Sequence, residues 1–201
     1  MKKYIYLIFA ILAISSCKDE TKEVPEKIQN ESEKVEFSII IHGGAGSIRR
    51  DKMPEEKETE YRQKLEEAIR VGYTILENGG TSLDAVQNTI NILEDSPLFN
   101  AGKGAVFTHE GVNEHDASIM EGKTLNAGAS AGTKTVKNPI NLARAVMDNS
   151  PHVLLSREGA ETFAAEQGIE IVEPSYFSTE KKLKSLKRVK ASENNKVASF
   201  Y

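Results

Sequence analysis

The 201 residues carry 26 basic and 30 acidic side chains for a net charge of −4, and 39% are hydrophobic, enough for one domain with a real core and too few for two. No basic stripe is interleaved with aromatic residues and Trp is absent, so nothing suggests a nucleic-acid binder and no nucleic-acid partner is expected. The single cysteine, Cys17, excludes an internal disulfide and a cysteine-based zinc cluster.

The chain opens with Lys2 and Lys3, an apolar run at 4–14 and the small-residue close Ile14-Ser15-Ser16-Cys17. These are the marks of an export signal, and the run is too short to span a bilayer with comfort. The pattern resembles a bacterial lipoprotein signal, in which cleavage leaves Cys17 as a lipidated N-terminus; an ordinary secretory signal with an incidental thiol is the alternative. On this reading 1–16 is the signal peptide and 17–36 a lipidated cysteine with a charged tether, so the protein is expected to be exported and lipid-anchored in the bacterial envelope, periplasmic or surface-exposed. The tether, KDETKEVPEKIQNESEKV at 18–35, has too little apolar surface to order itself.

The first folded element is predicted at 37–41, a β-branched apolar run that reads as a strand buried on both faces. It enters His42-Gly43-Gly44-Ala45-Gly46, where glycines permit positive φ and close approach of backbone N–H groups to a neighbour; a bland tight turn accounts for it equally well. After Pro54 the spacing of Tyr61, Leu65, Ala68, Ile69, Gly72, Ile75 and Leu76 predicts an amphipathic helix, stopped by Asn78-Gly79-Gly80. Thr81 with Asp84 predicts the start of a second helix with the buried stripe Leu83, Val86, Ile90 and Leu93, the two helices lying side by side on a sheet. A break at Ser96-Pro97 leads through Asn100-Ala101-Gly102-Lys103-Gly104 into strands at 105–109 and 112–120, joined at Glu110-Gly111 as a hairpin.

After Glu121-Gly122 a strand is expected at 124–136, whose run Asn126 to Gly132 is small enough for close packing of a helix or partner chain. Asn138-Pro139, cap then first-turn proline, starts a helix with Leu142, Ala145 and Val146 inward. There follow a short strand at 152–155, a helix at 157–167, an edge strand at 169–172 and a basic, weakly amphipathic helix at 179–190, with 191–201 as the start of a flexible linker. Hairpins among helices favour a mixed, layered α/β architecture over a doubly wound sheet.

Side-chain chemistry alone is sparse. His109 and His115 flank the hairpin turn beside Glu114 and Asp116, but no HxxxH or HExxH spacing supports a metal, and exposed strand positions are the simpler account. His152 beside Pro151 reads as structural, and no GxSxG elbow supplies a serine nucleophile.

The motifs say more in combination. IIIHGGAGSI at 39–48, SLDAV at 82–86, LEDSPLFNAGKGAVFT at 93–108, DASIM at 116–120, AGASAG at 127–132, NPINLAR at 138–144 and SPHVLLSREGAE at 150–161 occur in that order. Together they closely resemble the α subunit of plant-type L-asparaginases, also called isoaspartyl peptidases, which are threonine-type β-aspartyl peptidases of the N-terminal nucleophile hydrolase superfamily. The resemblance covers nearly all of 37–179.

It implies an α+β fold, the αββα sandwich, of which 37–190 would form the first half, the α-subunit portion. Such precursors cut themselves before a threonine in a Gly-Thr-Val-Gly type strand, giving α and β subunits that stay associated, usually as a dimer of αβ pairs. The freed threonine attacks the side-chain amide of asparagine or the isopeptide bond of a β-aspartyl dipeptide. Its hydroxyl is a weak nucleophile and its own α-amine is the base, so cleavage is activation. Here Gly80-Thr81 reads as a helix cap, and Gly132-Thr133 is followed by Lys-Thr-Val-Lys. The nucleophile and the substrate-binding residues are therefore expected beyond Tyr201, in a β subunit, and the 201 residues alone are expected to be inactive and poorly soluble.

Supporting roles carry over residue by residue. The glycines matching Gly43 and Gly44 help shape the cleavage site, and the asparagine matching Asn100 lies beside the nucleophile as a hydrogen-bonding partner. The loop wraps a sodium ion with backbone carbonyls, which map to Leu93, Glu94, Ser96, Phe99, Ala101 and Lys103; Lys103 departs from the pattern by adding a positive side chain near the ion. No organic cofactor is implied. A non-catalytic lipoprotein or decayed gene product stands as the alternative outside enzymes, and a glycosylasparaginase as the alternative within them.

Overall fold

The computed structural model describes residues 37–44, 51 and 53–198. The expected signal, Cys17 and the expected tether, residues 45–50 with Ala45 and Gly46, residue 52 and residues 199–201 lie outside them.

Helix α1, Glu55–Glu77, begins after Pro54 with Glu55, Glu56 and Glu58 in its first turn, where acidic groups meet the positive end of the helix dipole. Helix α2, Ser82–Glu94, starts as its sequence requires, the Thr81 hydroxyl oxygen accepting the Asp84 N–H at 3.1 Å. The helices pack side by side through Gly72, where an added Cβ would meet Thr89 Oγ1 at 2.3 Å. That contact turns Ala85 and Thr89 inward and leaves Val86, expected in the buried stripe, 41% exposed.

Strand β1, His115–Met120, pairs antiparallel with β2, Ala127–Thr133, and β2 pairs in parallel with β3, Leu154–Ser156. The register slips between His115 and Ala117, and Asp116 at the bulge accepts the Gly132 N–H at 2.8 Å. Helix α3, Pro139–Asn149, lies across the sheet. A Cβ on Gly128 of β2 would stand 2.2 Å from the Ala143 carbonyl oxygen, so the small-residue strand does admit a helix at close range.

Two apolar clusters follow from this arrangement. Leu83, Ile119, Ile140 and Ala143 join α2, β1 and α3. Val136, Leu142, Val146, Ala160 and Ala164 join α3 to helix α4, Arg157–Glu166. The chain then passes a 3₁₀ turn at Pro174–Phe177 into helix α5, Glu180–Ala198.

Several expectations are corrected. Residues 37–44 form no strand; their exposure alternates and Ile40 is 94% exposed, because no neighbouring strand among the described residues covers that face. The hairpin at 105–114 shrinks to one bridge, Phe107 to Asn113, with the Thr108 N–H donating to the Val112 carbonyl at 2.7 Å. The edge strand at 169–172 likewise reduces to a bridge between Val136 and Ile171. Helix α5 continues past Lys190 to Ala198 rather than giving way to coil. His115 is buried and packs its ring 4.2 Å from that of Phe177, where an exposed strand position was expected.

Candidate functional site

The residues singled out by sequence converge on the segment that leaves α2. Glu94, Ser96 and Phe99 are buried, and the Tyr61 hydroxyl donates to the Leu98 carbonyl at 2.9 Å while its ring meets Phe99 edge-on. The backbone then folds back on itself. Gly102, at φ +48, lies where a Cβ would be 2.3 Å from the Glu94 carbonyl oxygen, and a Cβ on Gly104 would be 2.0 Å from that of Phe99. The Ala101 carbonyl accepts the Gly104 N–H at 3.0 Å.

The close approaches of Gly102 to the Glu94 carbonyl and of Gly104 to the Phe99 carbonyl hold the loop from Leu93 to Lys103 in one tight fold. The Lys103 ammonium lies 5.1 Å from the centre of the Tyr176 ring, a favourable contact for a cation. Among the described residues no group of three or more histidine, cysteine, aspartate or glutamate side chains could hold a metal, so His109, Glu114, His115 and Asp116 do not assemble one.

A cleft of about 580 Å³ opens beside the loop, lined by Asn100, Ala101, Leu93 and Phe99 on one side and by His42, Gly43 and Gly44 on the other. Two segments about fifty residues apart in sequence thus face one space. The Gly44 N–H donates to His42 Nδ1 at 3.2 Å, and at φ +110 a Cβ on Gly44 would meet nothing within 4 Å among the described residues. Asn100 is exposed there, its Oδ1 accepting the Val106 N–H at 2.9 Å. Since a backbone N–H only donates, the carbonyl oxygen of the amide must face Val106, and its NH₂ is free to donate. Lys182 of α5 reaches the same cleft, and burial, with help from Lys181, pulls its ammonium below the usual lysine range.

Behind Asn100 a smaller cavity of about 220 Å³ is lined by Glu94, Glu114, His115 and Asp116. Glu94 Oε1 accepts the Ile140 N–H at 3.1 Å, and Oε2 is buried without a hydrogen-bond partner. Burial, the largest cause, and then Asp95 push its carboxyl up to about 8 against the opposing effects of Ile140 and Asn138. Burial also lowers His115, with Asp116 acting the other way. The sequence pattern missed Glu94 as a side chain, although its place four residues after Ile90 puts it on the buried face of α2. Nothing in the sequence marked Asn113 or Lys182.

Comparison with known proteins gives a consistent result. A family model for asparaginases matches residues 35–200. An isoaspartyl peptidase of Salmonella typhimurium is 48% identical over 154 residues, which is 77% of this chain and 49% of the relative. An isoaspartyl peptidase/L-asparaginase of Bos taurus is 42% identical over 152 residues, 76% of this chain and 48% of the relative. A plant-type L-asparaginase of Pyrococcus furiosus is 46% identical over 151 residues, 75% of this chain and 48% of the relative. The chain spans about half the length of the curated relatives it matches.

Proposed function

The chain belongs to the asparaginase family, and from that premise we propose that it forms the α-subunit portion of a self-cleaving hydrolase acting on L-asparagine and β-aspartyl dipeptides. The observation that carries this reading is the cleft itself, which gathers Asn100, Gly43 and Gly44 from separate segments around one space. On this reading the nucleophilic threonine and the groups that bind the substrate's charged ends belong to a β-subunit half, and the α-subunit portion by itself is inactive. The complete fold is the αββα sandwich, in which helices α3 and α4 form an outer layer on the sheet β1-β2-β3.

The division of labour follows from the chemistry. The threonine hydroxyl attacks the amide carbon and its α-amine takes the proton. The carbon–nitrogen bond breaks, ammonia or an amino acid leaves with that proton, and water releases aspartate. The residues of this chain position and polarise: the free NH₂ of Asn100 donates to oxygen at the reacting centre, and the absence of side chains at Gly43 and Gly44 lets the cleaved strand approach. The backbone carbonyls of Leu93, Glu94, Ser96, Phe99, Ala101 and Lys103 would hold a sodium ion, which would supply a fixed charge that stiffens the loop carrying Asn100. Lipidation at Cys17 ties the protein to the envelope membrane.

The test is made on the product of the whole gene. Mass spectrometry is expected to find cleavage before a threonine, and the cleaved protein is expected to release ammonia from L-asparagine and to split β-aspartyl dipeptides. A product that neither cleaves nor hydrolyses overturns the reading, and preference for N-acetylglucosaminyl-asparagine moves it to glycosylasparaginase.

A further inference from the structure

We propose that Asn113 is a positioning residue that fixes the orientation of the Asn100 amide through the backbone of Ala105 and Val106; its catalytic meaning rests on the function proposed above. Asn113 is buried, and its amide nitrogen donates to the Ala105 carbonyl at 3.1 Å and to the Val106 carbonyl at 3.0 Å. Both amide hydrogens are thereby used on two consecutive peptide units. The far side of the same stretch carries the Val106 N–H, which donates to Asn100 Oδ1. Asn113, the 105–106 backbone and Asn100 form one chain of hydrogen bonds from the interior to the wall of the cleft.

The stretch needs that support. Residues 105–108 lie in no strand, and the antiparallel pairing there is a single bridge between Phe107 and Asn113. The Val106 side chain is about half exposed and gives little anchorage. A peptide unit without a ladder is free to rotate, and an asparagine amide whose partner rotates away can turn through a half circle, exchanging donor for acceptor. The two donors of Asn113 prevent this by holding the carbonyls on either side of the Val106 N–H. The Ser178 hydroxyl lies 3.5 Å from Asn113 Oδ1, at the outer limit of a hydrogen bond, so the amide is oriented mainly by the two carbonyls.

The deciding variant is Asn113→Asp, which keeps the shape and loses both N–H donors. In the whole-gene product, amide hydrogen exchange by NMR is expected to speed up at Val106 by about tenfold or more, with Val146 in the core of α3 unchanged. Unchanged exchange at Val106 overturns the proposal. Should Asn113→Asp loosen Val146 as well, Asn113→His decides. Its ring Nδ1 keeps one donor near the place of the amide nitrogen, so Val106 is expected to exchange faster than in the wild type while Val146 stays protected; wild-type exchange at Val106 overturns the proposal.

In the cleaved whole-gene product, Asn113→Asp is expected to lower kcat by roughly 10- to 100-fold with KM within about twofold, as displacement of a reacting group by about an ångström does, and Asn113→His to recover part of the loss. An active wild type whose kcat is untouched by Asn113→Asp overturns the positioning role. A wild type without activity refutes the hydrolase reading instead, and the exchange experiment then judges the hydrogen-bond relay by itself.

Discussion

Glu94 Oε1 accepts the N–H of Ile140, so a carboxyl at the end of α2 caps the first turn of α3 from 46 residues away in sequence. The expected cap, Asn138, instead turns its amide to Asp95 at 3.1 Å. A helix start leaves its first N–H groups unpaired, and a carboxyl from another element satisfies one as well as a neighbouring side chain would. The pairing ties the cleft loop to the helix that covers the sheet.

That pairing has a pH signature. Glu94 holds its proton up to about 8 when folded, whereas the unfolded chain releases it near 4.5. Its contribution to stability is therefore fully present below about 4.5 and is lost as the pH rises through about 8. His115 acts in the opposite sense but only below its ordinary value of 6.5, since its folded pKa is lowered. Between pH 6.5 and 8 the melting temperature is expected to fall in the wild type and to stay nearly level in Glu94→Gln, which retains the oxygen for Ile140. Parallel slopes in the two proteins would show that Glu94 is already ionised when folded.

Packing between β2 and α3 makes a sharper demand on volume. A Cβ on Gly128 would meet the Ala143 carbonyl oxygen at 2.2 Å and the Met147 nitrogen at 2.4 Å, both backbone atoms that a rotamer change cannot move. Gly128→Ala is expected to cost about 1–3 kcal/mol in chemical denaturation, the usual penalty of overpacking. Gly122→Ala, with open space around it, serves as the control and is expected to be near neutral.

The helices were legible because each carries its own period and punctuation: Thr81 with Asp84 for α2, Pro139 for α3, and Asn78-Gly79 after α1. The strands were less so. A stretch such as 37–41 has strand chemistry, but a strand exists only through its partner, and residue type does not name the partner. The same holds for the site. Asn100 and the glycines were visible as a resemblance, whereas the Glu94 carboxyl and Asn113 act through contacts between segments distant in sequence, to which no local spacing points.

Sodium binding is tested through the loop's own geometry. Melting in sodium chloride is expected to exceed melting in choline chloride of equal ionic strength, because an ion held by the folded loop alone stabilises it by mass action. Gly102→Ala places a Cβ against the Glu94 carbonyl oxygen at a positive φ, and it is expected to abolish the difference between the two salts. A wild type that melts identically in both salts removes sodium from the proposed site.

Asn100 itself separates support of the fold from chemistry. Asn100→Asp keeps an acceptor for the Val106 N–H, so the loop is expected to retain its shape and the protein its melting temperature. The substitution removes the NH₂ that faces the cleft and puts negative charge where oxygen at the reacting centre needs a donor. In the whole-gene product this is expected to slow both self-cleavage and asparagine hydrolysis by about 10²–10³-fold, the range seen when one such donor is lost. The loss should fall on kcat rather than KM, because the donor matters most as charge develops on oxygen. Wild-type rates in Asn100→Asp would place Asn100 outside the reacting centre and leave it only its bond to Val106.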